Sequence, residues 1–158
     1  MRRVTSDEFS QQIVAMMQTL YSVSYSQLSQ SCDRDDAVQE CLYKAWEKRH
    51  QLRDERFMRT WVIRILLNEC HNIQKKRNRE LPLDELPERT APMDANYELH
   101  DALLNLEGTL QLPIVLHYME GFSIKEISQM LRLPQGTIKS RMLRGRRELK
   151  EMLNEEVE

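Results

Sequence analysis

The stretch LPQGTIKSRMLRGRRELK, residues 133–150, carries six basic side chains, and Arg132 just before it makes seven, against a single acid, Glu148. Guanidinium and ammonium groups set along one helix do one kind of chemistry well: they donate to phosphates and to the acceptors of guanine, while a serine hydroxyl donates or accepts. At helical spacing Lys139, Ser140, Arg144 and Arg147 share an outward face, with Arg141 and Arg146 at its edges. A second polar set, Arg64, Asn68, His71 and Lys75, falls at i, i+4, i+7 and i+11 and forms one basic stripe. A third set is acidic: Asp35 and Asp36 are expected in the first turn of a helix, where carboxylates suit its dipole.

Bond-breaking chemistry has no comparable support. His50, His71, His100 and His117 are scattered, with no His-Glu-x-x-His pair, and no phosphate-cradling glycine loop occurs. The carboxylates gather in a proline-rich stretch and at helix ends, so no enzyme site is expected. Cys32, Cys41 and Cys70 are odd in number and far apart, which gives neither a disulfide framework nor a zinc template. They read as small buried or half-buried apolar residues. No cofactor or metal is expected.

The elements that must position these groups read as helices. The chain has 158 residues, only four glycines, and abundant Leu, Met, Glu, Lys and Arg. Phe9, Ile13, Met16, Met17 and Leu20, then Val23 and Leu28, give a first helix. Val38, Cys41, Leu42, Ala45 and Trp46 give the apolar face of a second, after a polar break SQSCDRDD. KRHQLRDERF lacks a period and reads as a loop, and a third helix runs from about Met58 to Lys76 on Trp61, Val62, Ile65, Leu66, Cys70 and Ile73. In the C-terminal part, Leu103, Leu104, Leu106 and LPIVLHYM lead to Ser123-Ile124-Lys125-Glu126, a capping box. Ile124, Ile127 and Leu131 mark the buried side of that short helix. A tight turn at Arg132-Leu133 follows, with Pro134 placed at the first position of the next helix. The inner face of that helix is Ile138, Met142, Gly145, Leu149 and Met152, and Gly145 lets it lie close to a neighbour. Two short helices joined by such a turn make a helix-turn-helix.

Charge divides the chain in the same way. Net charge is −3 over residues 1–43, +7 over 44–79, −6 over 80–101, −2 over 102–131, +6 over 132–150 and −4 over 151–158, although the whole chain carries only −2. Two basic blocks on an acidic chain point to a polyanion held at two places, the other reading being solvated or protein-docking helix faces. The stretch ELPLDELPERTAPMDAN holds three of the five prolines and reads as a linker of about 20 residues. The expected architecture is all-α: an N-terminal domain (1–79), a flexible acidic linker (80–98) and a C-terminal helix-turn-helix domain (99–158). No apolar run approaches a membrane span, and MRRVTSDEF turns polar too soon for a signal peptide, so a cytoplasmic protein with no membrane insertion is expected.

With those residues in view, FSIKEISQMLRLPQGTIKSRMLRGRRELK resembles the C-terminal DNA-reading domain of bacterial extracytoplasmic-function sigma factors. DRDDAVQECLYKAWEKR and FMRTWVIRILLNECHNI resemble the N-terminal domain of the same family, in the same order. The resemblance implies a dissociable RNA polymerase subunit that brings the core enzyme to promoters and is commonly held off by an anti-sigma factor. It implies core-polymerase contacts at Asp35, Asp36, Gln39 and Glu40. It implies upstream-box contacts at Arg132, Gln135, Thr137, Lys139, Ser140, Arg141, Arg144 and Arg147. For the melted downstream box it implies Arg53, Arg56, Phe57, Arg59, Arg64, Asn68, His71 and Lys75, with the loop Arg53–Phe57 capturing a flipped base. Arg59, Thr60 and Trp61 match a family signature, in which Trp61 reads as core. Arg132 stands where the family usually has glycine, Glu107-Gly108 where it often has proline, and the N-terminal loop is charged rather than glycine-rich. Extended, 20 residues reach roughly 70 Å, enough to span two boxes. The rival reading is a helix-turn-helix regulator that acts without core polymerase.

Overall fold

The computed structural model of the protein describes residues 4–80 and 97–155. The acidic stretch 81–96, on which the expected linker falls, lies outside the described residues. The chain divides into two units, Met1–Glu88 and Arg89–Glu158, and every regular element described in either is helical.

Unit one is built from α1 (Ser6–Gln27), α2 (Ser31–Glu47) and α3 (Met58–Glu80). Thr5 starts α1 with a capping box: its hydroxyl accepts the Glu8 N–H at 3.2 Å, and the Glu8 carboxylate accepts the Thr5 N–H at 3.1 Å. Phe9, Met16, Leu20, Val23 and Leu28 turn inward from α1, as their spacing requires. They meet Ala37, Val38, Cys41 and Ala45 of α2, and Met58, Val62, Ile63, Leu66 and Cys70 of α3.

Four details depart from the sequence expectation. First, α2 begins at Ser31, within the stretch read as a break, so Asp33 is its first-turn acid and Asp35 and Asp36 lie one turn further in. Asp33 turns inward and meets Arg77 of α3, whose Nε contacts Oδ2 and whose Nη2 donates to Oδ1 at 3.0 Å. Second, Trp46 is 42% exposed. Its ring leans on Phe9 at 5.9 Å between centroids and is covered from outside by Arg49, 3.9 Å from the ring centre. Third, Ile63 rather than Ile65 lies in the core, because Ile65 is half-buried. Fourth, the loop is partly ordered into 3₁₀ turns at Arg49–Gln51 and Glu55–Phe57, with Leu52 buried between them.

Cys41 and Cys70 are buried, and burial pushes both thiols up to about 12. Cys32 is exposed, contrary to the expectation for it. A thiol reagent at mildly alkaline pH should therefore modify Cys32 alone in the native protein and all three cysteines after unfolding, and rapid native labelling of Cys41 or Cys70 would contradict this core.

Unit two comprises α4 (Tyr97–Asn105), α5 (Gly108–Ile114), α6 (Ile124–Leu131) and α7 (Gln135–Glu155). Pro113 lies inside α5, which widens immediately afterwards into a π-helical turn over Val115–Met119. Gly121, at φ 76°, turns the chain towards α6. The capping box forms as its sequence dictates: Ser123 Oγ accepts the Glu126 N–H and Glu126 Oε1 accepts the Ser123 N–H, both at 3.0 Å. Ile127 and Met130 are the buried residues of α6, with Ile124 and Leu131 half-buried. Pro134 stands one residue ahead of α7, and its carbonyl accepts the N–H groups of Thr137 and Ile138.

The inner face of α7 is as expected at Ile138, Met142, Gly145 and Leu149, all buried, while Met152 is half-buried. A methyl group on Gly145 would lie 2.4 Å from Ile114 Cδ1 and 3.4 Å from the Leu110 carbonyl oxygen, so this glycine sets how closely α7 approaches α5. Gly145→Val should cost about 2 kcal/mol, since a branched side chain there overpacks a filled contact. Gly145→Ala should lose less, because about 1 kcal/mol of helix propensity is regained. Thermal melts would check both, and a Gly145→Val protein as stable as the parent would refute the close approach.

Candidate nucleic-acid interface

The helix-turn-helix is locked at its turn. Leu133 N–H donates to the Ser128 carbonyl, and the Ser128 hydroxyl donates to the Leu133 carbonyl at 2.5 Å. Arg132 caps α6 in the left-handed region (φ 55°, ψ 45°), the only non-glycine residue at positive φ among the described residues. An arginine there costs roughly 1 kcal/mol relative to glycine.

The turn brings the expected upstream residues onto one outer surface. Arg132, Gln135, Lys139, Ser140, Arg144 and Arg147 are exposed, and Thr137 and Arg141 are half-buried at the margins. Most of these cations are electrostatically uncommitted. Among the described residues Lys139, Arg141 and Arg147 carry no ion pair, whereas Arg144 Nε lies 3.4 Å from Glu148. Ser140 donates back to the Gly136 carbonyl at 3.0 Å, which leaves its oxygen free to accept. One basic residue belongs to a different contact: Arg146 Nη1 donates to the Tyr118 hydroxyl at 2.5 Å, tying α7 to the π turn. His117 is structural, with Nδ1 2.8 Å from the Phe122 carbonyl oxygen.

In unit one, α3 carries the second basic surface. Asn68, His71 and Lys75 are exposed and Arg64 half-buried along one stripe, and Phe57, in the preceding 3₁₀ turn, is 52% exposed. Arg53 and Arg56 are exposed on the same loop. Arg59 is exposed too, but it lies about 140° round the helix from Arg64 and off the stripe. Trp61 is half-buried. The helix is held by polar ties off the stripe: Lys44 Nζ meets Glu69 Oε1 at 2.5 Å, and Gln74 donates to the Gln27 carbonyl at 2.6 Å. The hydrogen bond that Lys44 donates to the Glu69 carboxylate raises the lysine pKa above its ordinary value.

The acidic set lies on the open face of α2. Asp35, Asp36, Gln39 and Glu40 are exposed, and Ala37 between them is fully buried. The structure adds a residue that the sequence reading passed over. Tyr43, 63% exposed, continues the Asp36–Gln39–Glu40 line at i+7 from Asp36, a spacing that helical arithmetic would have revealed.

This pairing of surfaces has counterparts. Residues 13–80 match the family model of sigma-70 region 2, and residues 97–149 match that of sigma-70 region 4. The chain belongs to the sigma-70 family, in its extracytoplasmic-function (ECF) group. It is 29% identical over 126 residues to the ECF RNA polymerase sigma factor SigM of Mycobacterium tuberculosis, a match covering 77% of this chain and 64% of SigM. The chain thus spans just under two thirds of that relative's length. With SigW of Bacillus subtilis it shares 24% identity over 169 residues, 94% of this chain and 90% of SigW. Among solved structures it is similar to the sigma factor RpoE of Bartonella quintana in complex with the anti-sigma factor NepR, with a TM-score of 0.81 and 27% identity over 93% of this chain and 97% of that one. It is also similar to CnrH in complex with the cytosolic domain of CnrY, with a TM-score of 0.74 and 25% identity over 95% and 90% of the two chains.

A sigma-70 family is not a family of enzymes, and among the described residues no cluster of His, Cys, Asp and Glu is arranged to hold a metal ion. No helix among the described residues is long and apolar enough to cross a membrane.

Proposed function

We propose that this protein is a sigma factor that directs RNA polymerase core to promoters, with its two units meeting two boxes of the same promoter. The observation that carries the reading is that two sigma-70 regions follow each other in family order, each with an exposed cationic surface on a helix. In this reading α7 enters the major groove of the upstream box, with Ser140 and Arg141 towards the bases, Lys139 and Arg144 reaching base edges and the adjoining phosphates, and Arg132 and Arg147 towards phosphates further along. The α3 stripe and the Arg53–Phe57 loop meet the melted downstream strand, where a cationic groove and an exposed aromatic suit unpaired bases. The α2 face of Asp35, Asp36, Gln39 and Glu40 docks on core polymerase. The domains are 1–79 and 99–158, and the acidic segment 80–98 links them so that binding at one box raises the effective concentration at the other. The site of action is the cytoplasm. An anti-sigma factor that covers one or both DNA faces is the expected regulator; the similar Bartonella RpoE was solved in complex with the anti-sigma factor NepR.

Run-off transcription from a genomic DNA library tests this. Purified protein with core polymerase should initiate at a defined set of promoters that share two boxes. Binding to a palindrome as a dimer, with no core-dependent initiation, would replace the reading with that of a conventional regulator. Within it, Asn68→Ala should slow promoter opening by about 2- to 10-fold, the scale of one lost hydrogen bond, while closed-complex affinity holds. Permanganate reactivity of melted thymines reads the first quantity and gel shift the second; a loss confined to closed-complex binding would remove Asn68 from the melted strand.

A further inference from the structure

Residues Phe9 to Cys32 form the longest run in the chain without a charged side chain: 24 positions hold no Asp, Glu, Lys, Arg or His, in a protein whose residues are 30% charged. The run covers α1 from Phe9 to its end, and burial does not account for it. One side of α1 packs inward on Phe9, Met16, Leu20 and Val23. At about 100° per residue, Gln11, Val14, Gln18 and Tyr21 fall on the opposite side, and all four are exposed. Val14 is 72% exposed, more than any other large apolar side chain among the described residues.

The outer face of a solvated helix ordinarily carries charge. A face stripped of charge, with an aromatic ring and a branched aliphatic in the open, has the composition of the centre of a protein–protein contact. Charge also says which partner fits. The exposed faces of α2, α3 and α7 each carry one sign: acidic at Asp35, Asp36 and Glu40, basic along the Arg64–Lys75 stripe and basic along Lys139–Arg147. A twofold axis sets a face against its own copy, so each of those would meet like charge. The outer face of α1 meets its copy with no charge to repel. Glutamine suits such an axis, because its amide holds both donors and an acceptor, whereas a carboxylate only accepts. The intervals between Gln11, Val14, Gln18 and Tyr21 are three, four and three residues, the same from either end. Two antiparallel helices therefore place Val14 of each copy opposite Gln18 of the other, and Gln11 opposite Tyr21.

We propose that the free chain forms a twofold homodimer through the outer faces of two antiparallel α1 helices, centred on Val14 and Gln18. One helix pair is a small interface, at the low end of the range for specific contacts, so the dissociation constant is on the order of micromolar. The seam is neutral, so its strength does not fall with salt, unlike that of a pairing between the acidic and basic faces. The dimer needs neither DNA nor core polymerase, and so stands or falls independently of the promoter reading.

Sedimentation equilibrium of the full chain, without DNA or core, from about 1 to 200 µM tests this. A monomer–dimer equilibrium with the same constant at about 150 and 500 mM salt is expected. The melting temperature should rise with protein concentration, because pairing stabilises only the folded chain. Val14→Glu should weaken the dimer by at least about tenfold, and Gln18→Lys likewise, since each sets an unpaired charge at the seam. Both positions are exposed, so each variant should keep its helix content and its melting temperature at the lowest concentration. An equal mixture of the two variants should recover the dimer, because positions 14 and 18 then face each other with opposite charges. A chain that is monomeric up to 200 µM, a dimer that salt disperses, a dimer indifferent to Val14→Glu, or a mixture that fails to recover overturns the proposal. A monomer whose Val14→Glu variant loses binding to core polymerase or another protein gives this face to that partner and overturns self-pairing as well.

Discussion

The double variant Lys139→Ala/Arg144→Ala is expected to bind upstream-box DNA about 10- to 100-fold more weakly at moderate salt, with the slope of log affinity against log salt reduced by about two. Each cation that neutralises a phosphate releases condensed counterions, so the slope counts contacts in a way that an affinity alone does not. Both side chains are exposed and lie off the inner face of Ile138, Met142 and Gly145, so truncation leaves no cavity. Lys139 has no ion pair to lose among the described residues, and the 3.4 Å contact of Arg144 with Glu148 is an exposed pair of the kind that contributes little to stability. The melting temperature should therefore hold while DNA affinity falls. Titrations of labelled duplex from 50 to 200 mM salt decide the matter, and an unchanged slope would remove α7 from the phosphate backbone.

Asp36→Arg should abolish association with core polymerase in a pull-down and leave folding intact. The substitution puts a cation among Asp35, Gln39 and Glu40 on the exposed face of α2, where a cationic partner surface would then meet like charge, a change of about 2–5 kcal/mol at an interface. The start of α2 at Ser31 matters to this test. Had Asp36 stood in the first turn, as the sequence suggested, an arginine there would also oppose the helix dipole by up to about 1 kcal/mol and weaken the fold. One turn further in, the dipole term has decayed, so lost binding separates cleanly from lost stability. Normal co-purification of the variant with core would take core binding away from this face.

The elements that emerged from the sequence alone are those fixed by neighbours a turn apart. The capping box at Ser123–Glu126, the tight turn at Arg132-Leu133, the inner face of α7 and the close approach at Gly145 are all written in residues a few positions apart, and all stand in the structure, which adds that Arg132 is left-handed. The same arithmetic placed Arg64, Asn68, His71 and Lys75 on one stripe, whereas the set Asp35, Asp36, Gln39 and Glu40 came only from the family resemblance.

Other choices could be made only when distant segments met. Asp33, Asp35 and Asp36 are alike in sequence, yet Asp33 alone turns inward, because Arg77 waits on α3, 44 residues away. Lys44 finds Glu69 across 25 residues, and Arg146 leaves the cationic face of α7 for Tyr118 across 28. Trp46 has the composition of a core residue, yet its ring is 42% exposed, leaning on Phe9 with Arg49 across its outer face. Periodicity reports which side of a helix is apolar; it carries no information about which helix arrives opposite, at what register, or with which charge. Local hydrogen bonding and helical spacing therefore determined two helical units and their cationic faces, while packing between segments far apart in the chain decided which of several equivalent side chains would be buried, paired or left free to bind.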